Sequence, residues 1–159
     1  MKDKFFIFLD VDGVLNNQTY TIHQAILNNT RYFCSSVPFD DRSLQALKYL
    51  VNNINKDVNI IISSTWRLDD TDMSILSARL KEYGLRVQDK TSNKVLTRGE
   101  EIDCYCKEHN ISNNYLIIDD DTDMLKHQLN NFIHCNSLIG FTALDAENAL
   151  KLIRKENVV

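Results

Sequence analysis

Two pairs of aspartates each follow an apolar run of the kind that forms a buried strand. Asp10 and Asp12 come after the run KFFIFL, and Asp119 and Asp120 come directly after YLII. Residues two apart point to the same side of an extended segment, so we expect the first two carboxylates to share one direction. Carboxylates in one crevice repel one another unless a cation lies among them, and hard oxygen ligands suit Mg²⁺. The four aspartates therefore predict a magnesium site, unless each one only caps a following helix or turn.

The first pair of aspartates also has the residue type needed for phosphoryl transfer. Asp10, first at the strand end, could attack phosphorus as the nucleophile of an aspartyl-phosphate reaction. Asp12 could protonate the leaving oxygen and later deprotonate the attacking water, with burial near other acids raising its pKa for that role. Mg²⁺ would neutralise charge on the transferring phosphoryl group. Gly13 would let the backbone turn sharply and approach the ligand closely.

A third apolar run, VNIII, is followed by residues that are suited to binding an anion. Ser63 and Ser64 can offer hydroxyls and backbone N–H groups to a phosphate oxygen. Arg67 could clamp that phosphate or a second phosphate of a larger substrate. Trp66 is a candidate substrate contact, because an aromatic ring can stack on a base or a sugar. The alternatives are a serine that caps a helix, an arginine paired with Asp69 or Asp70, and an aromatic ring that belongs to the core.

Arg98 is a further candidate for binding an anion. It opens a predicted helix, where a cation is poorly placed relative to the helix dipole. That mismatch indicates an anion or a carboxylate nearby, and the alternative is a solvated arginine.

These residues lie on runs that alternate between strand and helix patterns. Apolar residues recur at helical spacing over 44–54 and 73–83, and Gly84 follows the second segment as a stop. Thr97 and Glu100 form a capping box for a helix through about His109, and Thr142 caps a last helix. This alternation predicts an α/β fold with a mostly parallel sheet and helices on both faces. Ligands bind at the carboxyl ends of such strands, which is where the candidate residues lie.

Three segments give weaker signals. Residues 85–87 predict a short strand, and residues 132–133 predict a short edge strand. Residues 16–41 are polar and weakly periodic, so we interpret them as an excursion near the top of the sheet. It contains Tyr20, Tyr32 and Phe33, which could stack on a base alongside Trp66 but are more typical of a small core.

The composition is that of an ordinary globular protein, with 159 residues, 43% hydrophobic and 25% charged, which predicts one domain over 1–159. The net charge of −4 excludes a polycationic nucleic-acid binder. No stretch approaches the ~20 apolar residues of a membrane span, and the N-terminal run is too short for a signal peptide. The four cysteines match no zinc pattern and are predicted to be free thiols. We therefore expect a cytoplasmic protein without a membrane partner.

Taken together, the motifs resemble the haloacid-dehalogenase (HAD) superfamily of phosphohydrolases. FIFLDVDGVLN resembles the first motif of that family, IIISS resembles the second, and YLIIDDD resembles the acidic fourth motif. Arg98 resembles the third motif, which is usually lysine, although Lys90 and Lys94 lie upstream and could also reach the site. The resemblance implies a Rossmann-like sheet, Mg²⁺ as cofactor and an aspartyl-phosphate intermediate. The roles it implies are Asp10 as nucleophile, Asp12 as acid and base, Ser63 as phosphate binder, and Asp119 or Asp120 as metal ligand.

A narrower likeness points to a class of substrate. The segments DVDGVLN, SSTWR, RGEEI and IIDDDTDM resemble the small HAD domains associated with nucleic-acid repair, and Ile-Asp-Asp resembles the 3′-phosphatase half of polynucleotide kinases. The segment 16–41 is too short for a large cap domain, so we expect a small flap and an open site that suits a macromolecular end. The predicted substrate is therefore a terminal phosphate of a nucleic acid or nucleotide.

Two other functions remain open from the sequence. One is a phosphatase for a small metabolite, and the other is a receiver-like signalling module that accepts a phosphate without hydrolysing it. Asp12 discriminates between enzyme and receiver, because it would speed hydrolysis of the aspartyl-phosphate. The late position of the acidic pair also differs from that of a receiver.

Overall fold

The computed structural model describes residues 3–29, 39–94 and 97–156, and within these ranges five strands form one sheet. The strands are β1 (Lys4–Leu9), β2 (Asp57–Ile62), β3 (Val87–Lys90), β4 (Tyr115–Asp119) and β5 (Phe132–His134). Their order is β3-β2-β1-β4-β5, and all neighbouring strands run parallel. The carboxyl ends of β1, β2 and β4 therefore meet at one edge in the middle of the sheet.

Five α-helices connect and cover the strands. They are α1 (Gln18–Leu27), α2 (Asp41–Asn53), α3 (Asp70–Glu82), α4 (Arg98–Glu108) and α5 (Ala143–Glu156). Short 3₁₀ helices lie at Thr65–Leu68 and Lys126–Asn131. No helix in the described ranges is both long and apolar enough to cross a membrane.

Side chains of β1 alternate between two hydrophobic clusters on opposite faces of the sheet. Leu9 lies in the larger cluster, together with buried residues of α2, α3 and α5. Phe8 lies in the smaller cluster, where its ring packs edge-on against Tyr105 of α4. Helices therefore cover both faces, which confirms the predicted Rossmann-like α/β fold. The continuous apolar runs of β1 and β4 follow from this burial, because most side chains of β1 and all side chains of β4 are buried.

Most predicted elements are present, with small shifts at their ends. The capping box of Thr97 and Glu100 begins α4 as predicted. The strand expected at 85–87 instead runs from Val87 to Lys90. Leu85 is buried in the turn that follows Gly84, so its hydrophobic character reflects core packing.

The excursion at 16–41 contains a helix that its weak periodicity did not reveal. Asn17 caps α1 by accepting a hydrogen bond from the backbone N–H of Tyr20. Tyr32, Phe33 and Cys34 lie outside the described residues. Free thiols are found at Cys104, Cys106 and Cys135, as predicted.

A buried side-chain pair holds the starts of α1 and α2 together. Asn17 donates to Asp40 at 2.8 Å, and Asp40 in turn accepts from the backbone N–H of Arg42 at the start of α2. The Asp40 N–H also donates to the carbonyl of Leu15, so the pair is attached to the loop that leaves β1. Burial raises the pKa of Asp40, but hydrogen bonds from Arg42 and Asn17 outweigh it and leave that pKa below the ordinary value.

The substitution Asp40→Ala tests this connection. Losing the cap and leaving the Asn17 amide without its partner should lower the free energy of unfolding by about 1–3 kcal/mol at pH 7. Because the folded-state pKa of Asp40 is lowered, its contribution is complete above the ordinary carboxyl pKa of about 3.9 and is lost as the pH falls through the folded-state value. Urea unfolding at pH 7 and at pH 3 measures both effects.

Asp70→Ala is the matched control, since Asp70 lies in the first turn of α3 and is exposed. We expect its cost to stay within about 0.5 kcal/mol. Equal costs for the two variants at pH 7 would contradict the role given to the Asn17–Asp40 pair.

Candidate active site

Three carboxylates meet at the carboxyl ends of β1 and β4. The two strands are neighbours in register, and the N–H of Asp10 donates to the carbonyl of Ile118 at 3.0 Å. Asp10, Asp119 and Asp120 each offer a carboxylate oxygen, and these oxygens lie within 4.8 Å of one another. We call these three residues the acidic cluster.

The acidic cluster is electrostatically strained in the absence of a cation. Burial and the neighbouring charge of Asp10 raise the pKa of Asp119 to about 8, and the same two causes raise that of Asp120 to about 6. Asp119 is only 1% exposed, so water cannot relieve the repulsion. A bound divalent cation would favour the charged form of all three groups, and carboxylate oxygens are the ligands that Mg²⁺ prefers. The chemistry of the cluster therefore fits such a cation.

Gly13 makes room for the acidic cluster. Its φ is +79°, and a Cβ built at this position would lie 2.2 Å from a carboxylate oxygen of Asp120. The space beside the Gly13 backbone is thus filled by the Asp120 side chain. The sequence predicted that the Gly13 backbone approaches a ligand closely. In the structure the group that it approaches is the Asp120 carboxylate.

Arg98 supplies positive charge to the acidic cluster from the start of α4. Its Nη1 donates to Asp10 at 3.1 Å and to Asp119 at 2.8 Å. Its backbone N–H donates to Asp123, which helps to hold the helix start against the loop after β4. The structure thus places carboxylates beside this arginine, as its position at a helix start indicated. Lys90 donates instead to the carbonyl of Arg67, and Lys94 is exposed.

The two serines after β2 differ in what their hydroxyls contact. Ser63 is fully buried, and its Oγ has no hydrogen-bond partner among the described residues. Buried polar atoms are seldom left without a partner, so this hydroxyl is available to an oxygen of a ligand. The Oγ of Ser64 accepts a 3.4 Å contact from the N–H of Trp66 and caps the 3₁₀ helix. Ser64 therefore has the capping role that was the alternative to phosphate binding.

The Asp12 side chain lies outside the acidic cluster, contrary to the predicted group of four carboxylates. Its Oδ2 accepts a 3.0 Å hydrogen bond from the indole Nε1 of Trp66, and its side chain is exposed. The expectation assumed that β1 continues as an extended segment. Instead β1 ends at Leu9, and a turn follows in which three N–H groups point to the carbonyl of Val11. Asp12 lies at the start of this turn, and its carboxylate is bonded to the Trp66 indole.

Trp66 is placed mainly against protein. It is 9% exposed, and its ring lies 5.2 Å from the ring of Phe39. With its Nε1 bonded to Asp12, the indole presents little surface on which a base could stack. Trp66 was predicted to contact substrate, but in the structure it contacts Asp12, a candidate catalytic residue.

Arg67 points into the protein, which corrects the prediction that it clamps a phosphate. The residue is 4% exposed, and its guanidinium donates to the carbonyls of Ser63, Ser64, Thr91 and Ser92. Its ion-pair partner is Glu101 of α4, at 2.7 Å, and neither Asp69 nor Asp70. These bonds tie the ends of β2 and β3 to α4.

Glu101 is the residue near the site that the sequence did not reveal. It lies between Arg67 and Arg98, with one oxygen 3.8 Å from the Nε of Arg98. Burial raises its pKa, and the two arginines oppose that shift. The segment RGEE shows that Glu101 lies three residues after Arg98, so that contact could have been predicted. The contact with Arg67, 34 residues earlier, could not be predicted from the sequence. Glu101 thus connects a buried structural arginine to the arginine of the acidic cluster.

The substitution Arg67→Ala should lower the free energy of unfolding by about 3–5 kcal/mol, because it leaves Glu101 and several carbonyls buried without their partner. Arg86→Ala is the control, since Arg86 is exposed, and should cost at most about 0.5 kcal/mol. Urea denaturation followed by circular dichroism measures both. A cost for Arg67→Ala no larger than that of the control would show that these buried bonds do not support the fold.

Comparison with known proteins agrees with this geometry. The profile of a protein family described as the HAD domain in Swiss Army Knife RNA repair proteins matches residues 6–146, which include the acidic cluster and Arg98. Searches of curated proteins and of solved structures gave no significant match. HAD domains are in general phosphatase-type hydrolases that use a divalent metal. The parallel sheet, the site at its carboxyl edge and the match over most of the chain lead to one conclusion: the protein belongs to the family of HAD domains found in Swiss Army Knife RNA repair proteins.

Proposed function

We propose that this protein is a Mg²⁺-dependent phosphomonoesterase that removes a terminal phosphate from a nucleic acid through an aspartyl-phosphate on Asp10. The observation that carries the proposal is the position of Asp10, which shares the acidic cluster with two carboxylates and is bonded to Arg98. A nucleophilic carboxylate needs neighbouring positive charge so that it can approach an anionic phosphate. Arg98 supplies part of that charge.

The acidic cluster would hold the metal ion. Asp10, Asp119 and Asp120 are the described carboxylates whose oxygens lie close enough together to share one cation. When bound, Mg²⁺ would supply positive charge against the phosphoryl oxygens. The pKa values of Asp119 and Asp120 are raised by burial and by the charge of Asp10, and they support this assignment because a bound cation would offset both causes.

The reaction uses residues from the ends of β1 and β2 and from the start of α4. An oxygen of Asp10 attacks phosphorus, the bond from phosphorus to the leaving oxygen breaks, and Asp12 donates a proton to that oxygen. Asp12 then takes a proton from water, which attacks the same phosphorus and releases phosphate and the free Asp10 carboxylate. The unpartnered hydroxyl of Ser63 would bind a phosphate oxygen, while Arg98 keeps the Asp10 carboxylate in place.

The end of an RNA strand is the substrate class that the family favours, since its members are HAD domains of RNA repair proteins. The net charge of −4 disfavours nonspecific attraction of a polyanion. Recognition would therefore depend on the phosphate itself and on local contacts.

We propose that the segment 16–41, which includes α1, acts as a small flap beside a site open enough for a strand end.

Asp10→Asn tests the nucleophile. We expect Mg²⁺-dependent hydrolysis of p-nitrophenyl phosphate by the native protein, and a fall in kcat on the order of 10³-fold or more in the variant. Asp70→Asn, an exposed change of the same kind, should retain native activity. Undiminished turnover by Asp10→Asn would exclude Asp10 as nucleophile.

The choice of substrate is tested by comparing kcat/KM for 3′- and 5′-phosphorylated RNA oligonucleotides with that for a sugar phosphate. A higher value for an oligonucleotide supports the proposed class, and a higher value for the sugar phosphate would favour a small-metabolite phosphatase. Stable phosphorylation of Asp10 without turnover would instead favour a receiver-like module.

Gly13→Ala tests the acidic cluster as a metal site. The added Cβ must displace the Asp120 carboxylate, so the affinity for Mg²⁺ should fall by about 10-fold or more. A bound ion stabilises the native state by RT ln(1 + c/Kd), where c is the concentration of Mg²⁺, so a weaker affinity should make the increase in Tm on adding Mg²⁺ smaller in this variant.

Gly84→Ala is the matched control for that experiment. Gly84 also has a positive φ, of +74°, but a Cβ there meets no atom within 4 Å. It should lower Tm through backbone strain and keep the native increase with Mg²⁺. An equal increase with Mg²⁺ in Gly13→Ala and in the native protein would contradict the placement of the metal.

A further inference from the structure

The indole of Trp66 contacts Asp12 but takes no part in the steps of the proposed reaction. Trp66 is the one tryptophan of the chain, and its Nε1 lies 3.0 Å from the Oδ2 of Asp12. An indole N–H can only donate, so a buried tryptophan needs an acceptor, and here the acceptor is a carboxylate. The two residues are 54 positions apart and come from the ends of different strands.

The Trp66 side of this contact is rigid, whereas the Asp12 side is not. Trp66 lies in the 3₁₀ helix after β2, next to Arg67, whose guanidinium is bonded to four carbonyls and to Glu101. The Trp66 ring is also packed against Phe39. Asp12 is exposed on a turn. Without the indole, its side chain would be free to sample several rotamers in water.

The remaining contact of the Asp12 carboxylate is weak. Its Oδ1 lies 3.5 Å from the Nδ2 of Asn16, which is at the outer limit for a hydrogen bond. The indole thus occupies Oδ2 and leaves Oδ1 as the oxygen that is free to exchange a proton.

We propose that Trp66 is a positioning residue that holds the Asp12 carboxylate through Oδ2, so that Oδ1 delivers the proton to the leaving oxygen. This inference rests on the proposed function, since it assumes that Asp12 is the general acid. Holding an acid in one orientation accelerates proton transfer, because fewer unproductive arrangements compete with the reactive one. Trp66 itself touches neither substrate nor metal in this role.

The proposal predicts a dependence on the leaving group. An alkoxide leaves from phosphorus only when a proton reaches its oxygen as the bond breaks, whereas p-nitrophenolate is stable enough to leave without one. Loss of Trp66 positioning should therefore slow phosphoryl transfer from an alkyl phosphate and spare transfer from an aryl phosphate. kcat/KM is the quantity to compare, because it covers the steps up to the first irreversible one and omits hydrolysis of the aspartyl-phosphate.

The test uses Trp66→Phe, which keeps a ring beside Phe39 and removes the N–H donor. We expect kcat/KM for a nucleoside monophosphate to fall by about 10-fold or more, as for loss of general-acid catalysis, and that for p-nitrophenyl phosphate to fall by less than about 3-fold. Phe39→Leu is the control, since it loosens the packing and leaves the donor. It should affect both substrates by the same factor.

A second measurement reports the contact without any activity. The lone indole N–H gives one resonance in a ¹H–¹⁵N spectrum, and it should move upfield in Asp12→Ala because a bond to a carboxylate is lost. In the Asp12→Asn enzyme, Trp66→Phe should cause no further loss of kcat/KM, because the group it positions is already gone.

The outcomes separate the two proposals. Native protein that hydrolyses neither substrate would overturn the proposed function, whatever the indole resonance does. Native activity on both substrates, with Trp66→Phe reducing both equally or neither, would overturn the positioning role and leave the proposed function standing. An indole resonance that does not move in Asp12→Ala would also overturn the positioning role.

Discussion

Repulsion among two buried carboxylates and one half-buried carboxylate is the constraint on which the site depends. Asp10, Asp119 and Asp120 are brought within 4.8 Å by two neighbouring parallel strands, and one guanidinium, that of Arg98, faces them. One positive charge does not balance three negative ones, and burial with the charge of Asp10 raises the pKa values of Asp119 and Asp120. A bound divalent cation, which HAD domains in general use, would favour the charged form of these groups.

Buried charge also connects the site to the rest of the fold. Glu101 contacts Arg98 on one side and Arg67 on the other, and Arg67 donates to carbonyls at the ends of β2 and β3. These bonds explain why an arginine so near a predicted phosphate site is turned away from it. They stiffen the segment after β2, and that segment carries both Ser63 and Trp66 toward the end of β1. The same network thus supports the arginine of the acidic cluster and the partner of Asp12.

Local patterns in the sequence were sufficient where the physical cause is local. Continuous apolar runs predicted β1, β2 and β4, because strands covered by helices on both faces have no polar side. The capping box predicted the start of α4, since its hydrogen bonds join residues three apart. The helix α1 within the excursion at 16–41 was not predicted, since its apolar face is weak. The residue that caps it, Asn17, is buried with its amide bonded to Asp40, which is distant in the sequence.

The sequence by itself determined the fold class and the meeting of Asp10 with Asp119, because parallel strands must deliver their carboxyl ends to the same edge of a sheet. Only the tertiary structure decided where the side chains beyond those ends point. The Asp12 carboxylate is bonded to Trp66, and the Arg67 guanidinium is bonded to Glu101, although Asp12 and Arg67 looked suited to bind metal or substrate. The physical reason is that a polar side chain beyond a strand end turns toward the partner that can satisfy it, and those partners come from elements 34 to 54 residues away.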